Sequence, residues 1–341
     1  MGCQDSPERS KEIMRMPSMP FQIVHPNKYL LPDAFELARD ASTRLMQEKV
    51  QKQLDAGISM DEINASIMGK TMMPVNPDDI TPETAESALD FLILSAKSEK
   101  QRERLDYAKK ALALDPESLD AALAVILLGT RDLISMKKKL ETLMEKGKAQ
   151  MEQQGLMDAK GQFWQQFETR PFIRVLRAHF TVLQLLGQYR NALAAGWEII
   201  SYNKGDNLGV RYDMMAMAAW LLDQDTALTL MARYQEEDAM MLLPLALLYF
   251  RLGKGKDSLR ILHTLYASNP SLFNVLDDLL DGGAMEEACR QDRLPLNAYH
   301  YTAFEDSEVF FAVHDNLFLY LVSGTFFQWA LDNAKKIIRG A

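Results

Sequence analysis

With 341 residues, the chain is long enough for two or more compact domains or for one continuous stacked array. Its 38 Lys and Arg stand against 47 Asp and Glu, a net charge of -9 that disfavours a nucleic-acid backbone or an anionic membrane as partner. Apolar residues make up 48%, enough for a substantial core, and the only two cysteines, Cys3 and Cys289, exclude a disulfide framework and a four-cysteine zinc site.

Five histidines, His25, His179, His263, His300 and His314, form no H-x-x-x-H pair, so no metal or cofactor is expected. No basic stretch followed by an apolar one opens the chain, which predicts a cytoplasmic protein without a secretory signal. Met1-Gly2-Cys3-Gln4-Asp5-Ser6 matches the M-G-x-x-x-S pattern, but Pro7 stiffens the peptide just beyond it, and acylation at Gly2 or Cys3 is not expected.

Residues 1–32 mix Pro7, Pro17, Pro20, Pro26 and Pro32 with charges and predict an extended arm. From Asp33, apolar residues at helical spacing predict a helix to Ala56, with Asp33 as N-cap and Gly57 as C-cap. Ser59-Met-Asp-Glu62 is a capping-box pattern for a second helix ending before Gly69, and Pro74, Pro77 and Pro82 then mark a linker. Residues 1–80 form one region on this basis, 81–293 a helical-repeat region and 294–341 an aromatic C-terminal cap.

The repeat rests on fixed offsets. Gly187, Leu222, Gly253 and Gly283 each precede a small residue by five, namely Ala192, Ala227, Ser258 and Ala288. The small residues recur at intervals of 35, 31 and 30. Such spacing predicts two antiparallel helices per unit, with small side chains where helices approach most closely. Asp115-Pro116, Asn203-Lys204 and Asn269-Pro270 end the second helices. One second helix, from about Arg131 to Gln153, is long, with Leu133, Met136, Leu140, Leu143 and Met151 near heptad spacing. Packing within the chain accounts for it, and pairing with another chain is the alternative. Trp197 and the methionines of 214–241 are assigned to the interior.

Leu186-Gly187-Gln188-Tyr189-Arg190-Asn191-Ala192-Leu193 resembles the centre of a tetratricopeptide repeat, and Tyr107 to Pro116 resembles its closing segment. More narrowly, Arg170-Pro171-Phe172-Ile173-Arg174, followed by the run from Asn203 to Tyr212, is similar to a signature of bacterial relatives of the suppressor-of-tumorigenicity family. The resemblance implies an all-α solenoid of antiparallel helix pairs that holds other proteins. It implies no catalytic residues. Phe180 stands where that pattern has a small residue, Gly196 where it has an aromatic and Lys204 where it has the closing proline; these departures bear on superhelical pitch and leave the helix-pair plan intact.

No phosphate-binding loop, nucleophile elbow, zinc-helix or calcium-loop motif occurs. The polar cluster of 168–212 is the candidate partner-binding site: Arg170, Arg174, Asp206, Asn207, Arg211 and Tyr212. Arg170 and Arg174 are four apart and share a helix face, and an arginine fork suits a carboxylate on a protein or peptide partner. The competing expectation is that Asp206 or Asn207 caps a helix while an arginine braces the turn. A non-catalytic interaction scaffold is therefore expected. An enzyme or regulatory subunit with a polar pocket near 170–212, and an oligomerisation module, remain as alternatives. The uncharged run from Asn316 to Leu331 is short for a membrane span and predicts a helix closing the array.

Overall fold

The computed structural model describes residues 30–67 and 75–280 and, between 308 and 339, all except 310, 311, 314, 322 and 324. Most of the predicted arm, the acylation positions Gly2 and Cys3, and the Gly283–Ala288 offset lie outside the described residues. Within them the fold is all-α, a stack of helix pairs packed neighbour to neighbour.

Local chemistry sets the helix ends. Helix α1 (Ala34–Asp55) starts where Asp33 accepts the Glu36 N–H at 2.7 Å, and Gly57 follows its end at φ +83°. Ser59 and Glu62 exchange bonds with each other's N–H groups at 3.3 and 3.0 Å, the reciprocal cap of α2 (Met60–Ile67). The stack then runs through α3 (Ala88–Lys97), α4 (Gln101–Leu114), α5 (Leu119–Gly129), α6 (Leu133–Gln153), α7 (Arg170–Leu185), α8 (Tyr189–Tyr202), α9 (Val210–Leu221), α10 (Gln224–Tyr234), α11 (Ala239–Arg251), α12 (Gly255–Ser268) and α13 (Leu272–Leu280).

The repeat is visible in backbone angles. Gly187, Leu222 and Gly253 take φ of 68°, 58° and 71°, so a leucine occupies the left-handed turn position that glycine fills in its neighbours. Five residues on, Ala192, Ala227 and Ser258 are fully buried, and Ser258 Oγ donates to the Ala246 carbonyl at 2.8 Å. The C-caps of α4, α8 and α12 are nearly superimposable in φ and ψ: Asp115 (-132°, 89°), Asn203 (-135°, 83°) and Asn269 (-131°, 79°).

Two departures from the repeat pattern compensate each other. A Cβ on Gly196 of α8 would stand 3.0 Å from Phe180 Cε2 and 2.4 Å from Met214 Sδ. The notch of the glycine therefore receives the ring of Phe180 from α7 and the thioether of Met214 from α9. The inner face of α8 is filled by Ala192, Gly196, Ile199 and Ile200, which leaves Trp197, next around the helix, half-buried on the flank and not interior. Met214, Met215, Met217 and Met241 are fully buried core, while Met231 is half-buried.

In α6, Met136, Leu140, Leu143 and Met151 are buried within the chain, and α6 packs on α5 and α7. At Gly147 a Cβ would lie 2.6 Å from Phe172 Cδ2, the mark of close helix approach. The heptad-like stripe is thus spent on the chain's own neighbours.

The C-terminal segment does more than close the end. Helices α15 (Thr325–Asp332) and α16 (Ala334–Arg339) pack on α13 and α12, with Trp329 and Phe326 centred 4.9 and 5.5 Å from the Phe250 ring. Helix α14 (Leu317–Leu321) returns to α9, where Phe318 lies 5.3 Å from Tyr189 and 5.8 Å from Trp220. Upstream, Glu308 accepts the Ala239 N–H at 3.0 Å, at the start of α11. Helix α11, buried from Ala239 through Leu248, packs on α9 and α12, and the C-terminal segment reaches its two ends through Glu308 and the Phe250 ring contacts. No helix among the described residues is long and apolar enough to cross a membrane.

Candidate functional site

Helix α7 begins at Arg170, with Pro171 preorganising its first turn. Thr169, fully buried, donates Oγ1 to the carbonyls of Phe163 and Gln166 and anchors the chain entering that turn. The side chains of Arg170 and Arg174, one turn apart, project together onto helix α1.

There they meet Glu36 and Asp40, also four apart. Arg170 Nη1 donates to Asp40 Oδ1 at 2.5 Å, and its Nε donates to the Trp164 carbonyl at 2.8 Å while the guanidinium lies 4.0 Å from the centre of the Phe167 ring. Arg174 Nη2 donates to Glu36 Oε1 at 2.8 Å and Asp40 Oδ2 at 2.6 Å; its Nη1 donates to Asp120 Oδ2, on α5, at 2.8 Å. Arg174 is 6% exposed and Asp120 8%. Burial opposes the Arg174 charge, but Asp120, Glu36 and Asp40 outweigh it and hold the guanidinium above its ordinary range. Burial also pushes the Asp120 carboxyl up, against Arg174, and Glu36 and Asp40 push in the same direction. Three carboxylates thus converge on Arg174, while Asp40 also meets Arg170 at 2.5 Å and Arg39 Nε at 3.9 Å.

A second cluster forms at the start of α9. Asp206, at φ 45° and 1% exposed, accepts the Val210 N–H at 3.0 Å and the Arg211 N–H at 2.9 Å, capping the helix. Arg211 grips Asp206 Oδ2 at 3.0 Å and both Glu236 oxygens at 2.7 and 3.0 Å, and reaches Tyr212 Oη at 2.8 Å. Its guanidinium also lies 4.2 Å from the Tyr212 ring centre. Burial raises the Asp206 carboxyl despite the bonds from Arg211 and Val210. Asp238 caps α11 through the Met241 N–H at 2.9 Å, yet burial lifts its carboxyl to about 6, with Glu236 and Glu308 adding to the rise.

The six sequence-predicted residues thus fall into two groups. Arg170 and Arg174 join α1 and α5, whereas Asp206, Arg211 and Tyr212 join the start of α9 to the end of α10; Asn207 is exposed on the turn. Asp206 caps and Arg211 braces, as the competing expectation had it. Sequence reasoning missed Glu36, Asp40, Asp120 and Glu236. Glu36 and Asp40 carried one signal, an acidic pair with the same four-residue spacing as the arginine pair it meets.

His179, on α7, has Nε2 3.7 Å from Glu141 Oε1, and Glu141 is already bound by Lys137 at 2.8 Å. Burial lowers the imidazole pKa against the pull of Glu141, which favours a neutral ring. Among the described residues, no group of three or more His, Cys, Asp or Glu is placed to hold a metal ion. No protein-family model matches the sequence, and no curated protein matches it.

Proposed function

We propose that the chain is a non-catalytic, tetratricopeptide-like scaffold that holds a helical segment of a protein partner. The observation that carries this reading is the seating of α1. Its acidic pair, Glu36 and Asp40, engages the arginine pair of α7, and the helix lies against α3. A helix held by paired side chains on a helical array is a recurring mode of peptide recognition, here satisfied within one chain. The exposed side of α1 carries Phe35 and Leu45, 56% and 47% exposed, so the helix is bound along one face only.

In this reading α1 occupies the place of a partner helix bearing two acids one turn apart. Releasing it in the full chain tests the idea. In Glu36→Ala plus Asp40→Ala, α1 is expected to detach, seen as faster proteolysis within 34–67, while recovery of the partner from host extract rises several-fold over wild type. Partner recovery that is unchanged or lower, with α1 detached and the array still folded, overturns the reading.

A further inference from the structure

Arg170 and Arg174 each keep a support that does not come from α1. The turn before α7 holds Arg170: its Nε donates to the Trp164 carbonyl at 2.8 Å, and its guanidinium lies 4.0 Å from the ring centre of Phe167 and 5.0 Å from that of Trp164. Thr169 anchors that turn through the carbonyls of Phe163 and Gln166. Arg174 is held by Asp120 of α5 at 2.8 Å. Both guanidinium groups are therefore oriented before a helix arrives, which reduces the ordering cost of binding one.

The two acids of α1 are received differently. Glu36 meets Arg174 alone, Oε1 to Nη2 at 2.8 Å. Asp40, the more buried of the two, bridges both arginines, with Oδ1 2.5 Å from Arg170 Nη1 and Oδ2 2.6 Å from Arg174 Nη2. Among the described residues, the one further cation within 4.0 Å of Asp40 is Arg39, at 3.9 Å on α1 itself, so it travels with the helix. Ala38 is fully buried in the alanine-rich core beneath α1, which sets the height of the helix backbone and with it the reach required of each acid. A bridge between two oriented guanidinium groups leaves little freedom in that reach, because both oxygens of one carboxylate have to be placed at once.

We propose that the seat selects its helix by the order of the two acids, accepting glutamate followed four residues later by aspartate, Glu-x-x-x-Asp, and rejecting the reverse. The rule rests on the scaffold reading for the existence of a partner; the selectivity belongs to the seat and is reported by α1. Reversal leaves charge, spacing and composition unchanged but moves each carboxylate by about 1.5 Å, one carbon–carbon bond. The first acid then falls short of Arg174, and the second overshoots the gap between the arginines unless it folds into a poorer rotamer. Arg170 cannot follow it while the Trp164 carbonyl and the Phe167 ring hold the guanidinium, nor can Arg174 while Asp120 does.

Hydrogen exchange across 34–55 reads how firmly α1 is seated in the full chain. In Glu36→Asp plus Asp40→Glu, protection of α1 relative to the body is expected to fall at least about ten-fold below wild type, with Asp40→Glu alone carrying most of the loss. Glu48→Asp, exposed on the same helix, controls for helix propensity and should change protection less than about two-fold. Phe167→Leu frees the Arg170 guanidinium to follow the longer side chain, so the Asp40→Glu penalty should shrink several-fold in that background. A reversed pair as well protected as wild type, or a penalty unchanged by Phe167→Leu, overturns the selectivity. Synthetic peptides of residues 33–55, with the acids in their own order and reversed, carry the question to a separate helix. Titrated into the full-length Glu36→Ala plus Asp40→Ala chain, the first is expected to bind at least about ten-fold more tightly. Equal affinities overturn the order rule and leave the scaffold reading standing, whereas binding by neither removes the separate helix and with it the reading on which the rule rests.

Discussion

The core beneath α1, α3, α4 and α5 contains nine buried apolar residues, five of them alanine, whereas α11 alone buries ten residues in succession. Alanine offers little area, so apolar transfer at about 25 cal/mol per Å² contributes far less per residue at the first end than in the body. At that end the helices are also joined by ion pairs: Arg174 ties α1, α5 and α7 together across separations of 138, 134 and 54 residues. Arg211 does the opposite, bonding residues only 5 and 25 positions away. One arginine attaches a terminal helix to the array, and the other finishes a turn within it. An attachment built mainly from a few charges can be undone without dissolving the rest, which is why α1 is the element expected to come and go.

The largest expected effect lies in the body. Phe180→Ala removes a fully buried ring and leaves the Gly196 notch empty, and should cost about 4 kcal/mol of global stability in denaturant unfolding. Arg174→Ala should cost about 3 kcal/mol, by leaving Asp120 and Glu36 without their arginine. That loss should appear in hydrogen exchange as opening of α1 before the body; simultaneous opening of both would erase the contrast between the two regions.

Asp238 gives a smaller effect with a defined pH window. Its carboxyl is raised from 3.8 to about 6, so the native state holds the proton more tightly than the unfolded chain. Stability therefore rises as pH falls from about 6 to 3.8, and the penalty is fully present above about 6. Asp238→Asn retains a cap for Met241 and should stabilise the protein by about 1 kcal/mol at neutral pH, with no gain near pH 4. A gain that is independent of pH would detach it from this carboxyl. Smallest of all, Leu222→Gly should add about 0.5 kcal/mol, because relief of the left-handed backbone is partly offset by the freedom glycine gains in the unfolded chain. A loss of stability would mean that the leucine side chain outweighs its backbone.

Where structure depends on neighbours in sequence, the residues were informative. Asp33, Ser59 and Gly57 announce helix ends, and the five-residue offset picks out Leu222 as a turn residue although its side chain gives no such hint. The ion cluster was only half legible. Arg170 and Arg174 show their common face, but Glu36 and Asp40 sit on a helix 130 or more residues earlier, and only tertiary placement selects them among 47 acids. Arg211 was ambiguous for the opposite reason, since a binding arginine and a bracing one have the same local sequence. The bond from the Ala239 N–H to Glu308 joins the start of α11 to chain 69 residues later, which no local pattern encodes.

Phe180 and Gly196 also determine how such a unit can change over time. Enlarging the glycine first drives a side chain into the ring and into Met214, while shrinking the phenylalanine first opens a void. Exchanging the large and the small residue between the two helices one position at a time therefore passes through a less stable protein, although the exchanged pair places similar volume between the helices. The Phe180 ring and the Gly196 notch fill one shared volume between the helices, so the effect of a change at either position depends on the other.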